Sequence, residues 1–178
     1  MITTSPLIIK TLGVVVGPHG ALDLFHAIDN KKLNIYCLTN VATLGCTEYL
    51  WNINPHIILP IFLSMSAFHF RHQFIPLTEK LHINQISNSS LLLSSILVSL
   101  SFVKPEITYA FIALVHTPSQ YMENRELINP ERALFLAALT GAAFYFDNLF
   151  VSWMDNPIII STILAHTFYQ EFVVQNNS

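Results

Sequence analysis

The chain has 178 residues, of which 52% are hydrophobic and only 11% are charged, and its net charge is −3. Soluble domains carry about 25% charged residues, so this composition excludes an ordinary soluble globule, and its apolar content excludes disorder. The few Lys and Arg residues form no basic cluster, so nucleic acid is not an expected partner.

Seven apolar runs predict helices that cross a membrane. The fold class expected is therefore all-α, a polytopic transmembrane helix bundle of about seven helices, forming a single domain over residues 1–178. Three prolines, Pro55, Pro105 and Pro157, stand at predicted helix starts, where the missing N–H costs nothing. The predicted spans cover residues 6–28, 33–51, 56–74, 87–103, 106–122, 132–153 and 157–174.

The distribution of Lys and Arg predicts an orientation. Most of these residues flank the first, third and fifth gaps between spans. Because cytoplasmic loops are enriched in Lys and Arg, the odd-numbered gaps are expected to face the cytoplasm. The sequence thus predicts an integral, multi-pass membrane protein with its N-terminus outside and its C-terminus cytoplasmic.

Histidines are the strongest functional signal. Four of them lie inside odd-numbered spans, which run in the same direction, and each stands at a similar distance from the cytoplasmic end of its span. Ionisable side chains at membrane depth are rare and mostly functional. Each alone could be a hydrogen-bond partner between helices, but together they could meet around one metal ion. The four are His19, His69, His116 and His166.

A polar side chain stands one helical turn after three of these histidines. The three are Asp23, Gln120 and Gln170. Residues four apart share a helix face, so these groups are expected to orient imidazoles or to contact the water bound to a metal. His26 and His72 lie near cytoplasmic span ends, and we expect neither to bind the metal.

Four segments carry a family resemblance. Residues 17–23 (GPHGALD), 66–70 (SAFHF), 116–120 (HTPSQ) and 165–167 (AHT) are similar, in order and rough spacing, to motifs of the Brp/Blh family of membrane β-carotene dioxygenases. The resemblance extends over most of the chain, and its first motif is the most specific.

The resemblance implies a multi-helix oxidoreductase that holds non-haem ferrous iron (Fe²⁺) with histidines. The family cleaves the central double bond of β-carotene with O₂ and releases all-trans-retinal, which microbial rhodopsins use. Carried over by position, His19, His69 and His116 match metal ligands, and Asp23 is expected to orient His19. Its partners would be a carotenoid, O₂, the lipid bilayer and a rhodopsin that receives the product. Beyond the metal site no catalytic residue is expected, and the sequence identifies no substrate-binding residue.

The chain also departs from the family pattern. Gln120 stands where the family has its fourth histidine ligand, Arg71 replaces a common glycine, and the chain is shorter than usual members. Three interpretations of the fourth ligand stay open: His166 supplies the nitrogen, Gln120 binds through its carbonyl oxygen, or catalysis has been lost.

Two other functions compete with the oxygenase. The first is a catalytically inactive carotenoid-binding or accessory membrane subunit, in which the histidines serve packing. The second is a haem protein of the membrane, with two of the four histidines as axial ligands.

Overall fold

Helices occupy nearly all the residues that the structure, a computed structural model, describes: 17–83, 88–100, 103–145 and 157–175. No strand occurs within these ranges, so the predicted all-α class is confirmed. A 3₁₀ turn, Gly17–Gly20, leads into the first helix. The α-helices are α1 (Ala21–Asp29), α2 (Leu33–Ile53), α3 (Pro55–Lys80), α4 (Ser89–Leu100), α5 (Pro105–Phe111), α6 (Thr117–Glu123), α7 (Pro130–Tyr145) and α8 (Pro157–Tyr169).

Two wider turns interrupt this pattern. A π-helical turn, Ile112–His116, joins α5 to α6 without a break, and a second, Gln170–Val174, continues α8. In each turn a backbone N–H bonds the carbonyl five residues back, from Thr117 to Ile112 and from Gln175 to Gln170. Turns of this kind are rare and frequently occur at functional sites.

Helices lie where the predicted apolar runs place them, with differences at the ends, but only one segment among the described residues has the length and hydropathy of a membrane span. α3 continues beyond its predicted end at residue 74 to Lys80. Of the first span, 6–28, only the part from residue 17 on is described. The end of the sixth span, 146–153, also lies outside the described residues. Pro55, Pro105 and Pro157 each begin a helix, as predicted, and the Asn54 side chain caps α3 by accepting from the His56 N–H at 3.0 Å.

Helix α8 packs along α2 and against α3, and α3 packs along α4. Between α3 and α8, Ile58 and Phe62 bury their side chains against Ile160 and Leu164. Small residues bring α3 and α4 close together. The Ser94 hydroxyl on α4 donates to the Ala67 carbonyl on α3 at 2.6 Å, and Ser94 is fully buried.

An ion pair links α1 to α7. The guanidinium of Arg132 donates to both carboxylate oxygens of Asp29, at 2.7 and 2.5 Å, and lies over the ring of Phe25. This hydrogen-bonded pairing lowers the pKa of the Asp29 carboxyl. Beneath it, Leu22 and Phe25 of α1 pack against Leu136 of α7.

Several polar and charged side chains are buried in this chain, and many large apolar side chains are exposed. Asp23, His69, His116 and Glu171 are buried, together with several Ser, Thr and Gln residues. Besides the buried apolar clusters, many large apolar side chains are exposed. On α2 four of them are 60–70% exposed: Leu38, Val41, Tyr49 and Ile53.

One helical segment among the described residues, Pro157–Val174, is long and apolar enough to cross a membrane. Its length and composition are also those of a core helix in a soluble protein, and 44% of it is buried within the chain. The helix next in apolar character, Ser89–Leu100, is shorter.

The contact between α3 and α4 yields a stability prediction. Ser94→Ala removes the hydroxyl that bonds Ala67 across the helix pair, and we expect it to lower the free energy of unfolding by about 1 kcal/mol. Ser95→Ala is the matched control, since that hydroxyl bonds the Leu91 carbonyl within its own helix at 2.8 Å. Unfolding of the purified protein, followed by circular dichroism, measures both. Equal losses in the two variants would contradict a role for Ser94 between helices.

Candidate metal centre

Four imidazoles from four segments of the chain meet in the interior. His19 lies on the 3₁₀ turn, His69 on α3, His116 at the end of the first π-helical turn, and His166 on α8. The ring centroid of His19 lies 4.7 Å from that of His166 and 5.4 Å from that of His116. The ring centroid of His69 lies 4.9 Å from that of His116 and 5.2 Å from that of His166. All four histidines that the sequence selected therefore form one cluster.

Three of the four histidines bring nitrogens close enough together to hold one metal ion, and His69 borders this group through its ring contacts with His116 and His166. One ring nitrogen from each of His19, His116 and His166 lies within 4.8 Å of the others. The rings meet edge to face, at interplanar angles of 74–88°. The rings therefore do not stack on one another. Neutral imidazole nitrogens suit iron, zinc and copper.

Three nitrogens of the cluster make no hydrogen bond within the described part of the chain: Nε2 of His69, Nδ1 of His116 and Nε2 of His166. A buried polar atom without a partner costs about 1–3 kcal/mol. Three such atoms at one place are expensive, and a metal ion bound to their lone pairs would remove that cost. The residues present therefore fit a metal ion.

Asp23 orients one of these imidazoles. Its carboxylate, 1% exposed, accepts a hydrogen bond from Nδ1 of His166 at 2.7 Å and another from Nε2 of Gln170. A proton on Nδ1 leaves the lone pair on Nε2, the nitrogen without a hydrogen-bond partner. His166 is thus held in the tautomer that a metal ion requires.

The contact of Asp23 with His166 was not predicted, and the orientation of His19 by Asp23 stays a prediction. The four-residue spacing paired Asp23 with His19, but both carboxylate oxygens are engaged by the last helical segment, through His166 and Gln170. His19 lies on a 3₁₀ turn rather than on α1, so the α-helical spacing of four does not apply there. Gln170, expected to orient an imidazole or to contact water bound to a metal, donates to the carboxylate that holds His166.

Glu171 is a site residue that the sequence analysis missed. Its side chain is 1% exposed, and Oε1 lies 3.2 Å from Nδ1 of His69. Its other oxygen, Oε2, accepts from the Arg71 guanidinium at 3.1 Å. The sequence analysis considered the residue four positions after His166 and so selected Gln170. Glu171 stands five positions after His166, in the second π-helical turn, where a spacing of five residues would have found it.

Gln120 is buried, and its side-chain oxygen lies 3.5 Å from Nδ2 of Asn124 on the same helical segment. Since His166 joins His19, His69 and His116, a fourth imidazole is present without it. The geometry therefore favours His166 as the fourth nitrogen.

The remaining described histidines have other contacts. Nδ1 of His26 lies 3.1 Å from the hydroxyl of the fully buried Tyr169. Nε2 of His72 lies 3.7 Å from Oε2 of Glu171, on the side of that carboxylate away from His69. His56 and His82 are exposed at the two ends of α3.

The chain matches no protein-family model, no curated protein and no solved structure. The likeness to the Brp/Blh family therefore depends on the four short sequence segments.

The cluster predicts which histidines control metal content. His116→Ala and His166→Ala are expected to abolish most of the metal bound after loading with Fe²⁺, because each removes a nitrogen that converges on the site. His26→Ala and His72→Ala are the controls and should retain it. Metal analysis of the purified, iron-loaded proteins measures all four. Loss of iron in His72→Ala with retention in His116→Ala would mean that the cluster is not the binding site.

Gln120→His tests the fourth ligand. If His166 already completes the imidazole set, an added histidine at position 120 should leave iron affinity unchanged. Competition with a chelator of known affinity compares the variant with the wild-type chain. A marked rise in affinity would show that position 120 is an incomplete ligand position.

Proposed function

We propose that this chain is a polytopic membrane oxygenase that holds Fe²⁺ through His19, His69, His116 and His166. It cleaves β-carotene or a related carotenoid centrally with O₂ to give all-trans-retinal. The observation that carries the proposal is the cluster of four imidazoles. Two of them, His166 and His69, hydrogen-bond through Nδ1 to the buried carboxylates of Asp23 and Glu171.

The donor set supports a divalent transition metal. An all-imidazole set is neutral, and two carboxylates outside it offset the charge of a divalent ion. In metalloproteins a carboxylate commonly fixes a histidine ligand through its distal nitrogen. Imidazole also suits zinc, so the metal's identity depends on the resemblance, whose motifs include His19, His69 and His116.

The surface supports a membrane location. Side chains such as Leu38, Val41 and Tyr49 of α2 are more than 60% exposed, while two acids and two histidines are buried: Asp23, Glu171, His69 and His116. In water such a surface would favour association. In lipid it is the expected arrangement, with ionisable groups facing the interior of the bundle. The proposed orientation, N-terminus outside and C-terminus cytoplasmic, comes from the Lys and Arg distribution.

The protein's own residues hold and shield the reacting centre. Ferrous iron, when bound, supplies the binding and activation of O₂. The four histidines would hold the ion, and Asp23 fixes the tautomer of His166. No side chain needs to act as a general acid or base for a hydrocarbon substrate.

An aromatic wall beside His116 supports an apolar substrate. The Phe70 ring lies 5.0 Å from the His116 ring and 5.6 Å from that of Phe111, which stacks on Phe74 at 5.4 Å. A carotenoid has no polar handle, so its binding must depend on shape and apolar burial. This wall places apolar rings directly beside the cluster, as binding of such a substrate would require.

The geometry disfavours the haem alternative. The rings of His116 and His166 are 6.2 Å apart, but both His19 and His69 lie within 5.4 Å of each of them. A porphyrin between two axial imidazoles would need the space that the other two imidazoles occupy.

Expression in a β-carotene-accumulating bacterial host tests the proposal. We expect the cells to lose their orange colour and to accumulate retinal, detected by chromatography, with the chain in the membrane fraction. A His116→Ala strain is the control and should stay orange, because that variant lacks a metal ligand.

Two results would overturn the proposal. Orange cells that contain iron-loaded protein in the membrane would contradict carotenoid cleavage and favour the inactive carotenoid-binding or accessory subunit. A folded chain recovered wholly in the soluble fraction would contradict the membrane location.

A further inference from the structure

The carboxylate of Glu171 lies between the metal cluster and an open groove. The groove has a volume of about 520 Å³, and Arg71, His72, Glu123 and Glu171 are among its lining residues. Although it lines the groove, the Glu171 side chain is only 1% exposed. A buried carboxylate is stable only when it is paired and hydrogen-bonded, so its hydrogen bonds to His69 and Arg71, with His72 further away at 3.7 Å, define its role.

Both oxygens of Glu171 are engaged by donors from α3. Oε1 faces Nδ1 of His69 at 3.2 Å, and Oε2 accepts from Arg71 at 3.1 Å. The Arg71 guanidinium is itself fixed, since it donates to the Phe68 carbonyl at 2.6 Å and lies 3.3 Å from the centroid of the Phe68 ring. Arg71 therefore holds the carboxylate in one place.

We propose that Glu171 is a positioning residue for His69, and that Arg71 holds Glu171 in the orientation this requires. The carboxylate accepts the Nδ1 proton of His69, which leaves the lone pair on Nε2. That nitrogen is buried and makes no hydrogen bond within the described residues. The inference rests on the proposed metal site and is independent of the substrate.

Asp23 provides an internal comparison. It holds Nδ1 of His166 and is itself held by Gln170, as Glu171 holds Nδ1 of His69 and is held by Arg71. The two arrangements differ in charge, because Arg71 is a cation and Gln170 is neutral. Arg71 thus offsets the negative charge of Glu171, which a bound divalent ion would otherwise have to balance alone.

Glu171→Gln gives a specific test because an amide has only one acceptor oxygen. His69 and Arg71 both donate toward position 171, so the amide can satisfy one of them and must turn its NH₂ toward the other. The double variant Arg71→Gln/Glu171→Gln removes this conflict, since the amide oxygen can face His69 while its NH₂ donates to the oxygen of Gln at position 71.

The experiment measures Fe²⁺ and Co²⁺ dissociation constants of the full-length chain, purified in detergent. Glu171→Gln is expected to weaken metal binding by about 10–100-fold. The double variant should recover a large part of that loss. Glu123→Gln is the matched control, because it makes the same change in the same groove, and it should bind metal like the wild-type chain. Circular dichroism verifies that every variant is folded.

The outcomes separate this inference from the proposed function. Wild-type affinity in Glu171→Gln would overturn it, and so would a double variant that is no better than the single one. Weakened binding with recovery in the double variant supports it, even if no carotenoid is cleaved, and that combination overturns only the oxygenase proposal. A wild-type chain that binds neither metal overturns both.

Discussion

The arrangement of the helices around the imidazole cluster depends most on the buried carboxylate of Asp23, which accepts hydrogen bonds from His166 and Gln170. It joins the first described helix to the last one, far apart along the chain. A carboxylate this deeply buried is stable only with partners, so docking of α1 on α8 and orientation of His166 occur together. The contact is both a packing constraint and the determinant of one ligand's tautomer.

The rest of the interior follows from the same requirement. Polar groups inside an apolar bundle must be satisfied by one another, and here they form two sets that end on the imidazole cluster. One runs through Gln170 and Asp23 to His166, the other through Arg71 and Glu171 to His69. Both imidazoles belong to the cluster in which His19, His116 and His166 bring nitrogens within 4.8 Å of one another, as a metal site requires. With its polar groups used internally, the chain presents apolar side chains outward.

Close approach of helices makes this convergence possible. Ser94 and Ala67 allow α4 to lie against α3, and α3 in turn carries both His69 and the aromatic residue Phe70 beside His116. The π-helical turn at Ile112–His116 and its counterpart after α8 add a residue to a turn. Each brings a polar side chain to the cluster: His116 from the first and Glu171 from the second.

Much of the fold and part of the site could be predicted from the sequence. Apolar runs and the prolines Pro55, Pro105 and Pro157 determined the helices and most of their boundaries, because these signals are local. The four clustered histidines could be selected because their similar depths in the predicted spans depend only on counting along the chain. The hydrogen-bond partners of these imidazoles could not be predicted from the sequence. Asp23 pairs with His166 across the molecule, and Glu171 reaches His69 from a widened turn. Spacing rules for an ideal helix describe neighbours on one element, so only the tertiary structure decided which carboxylate orients which imidazole.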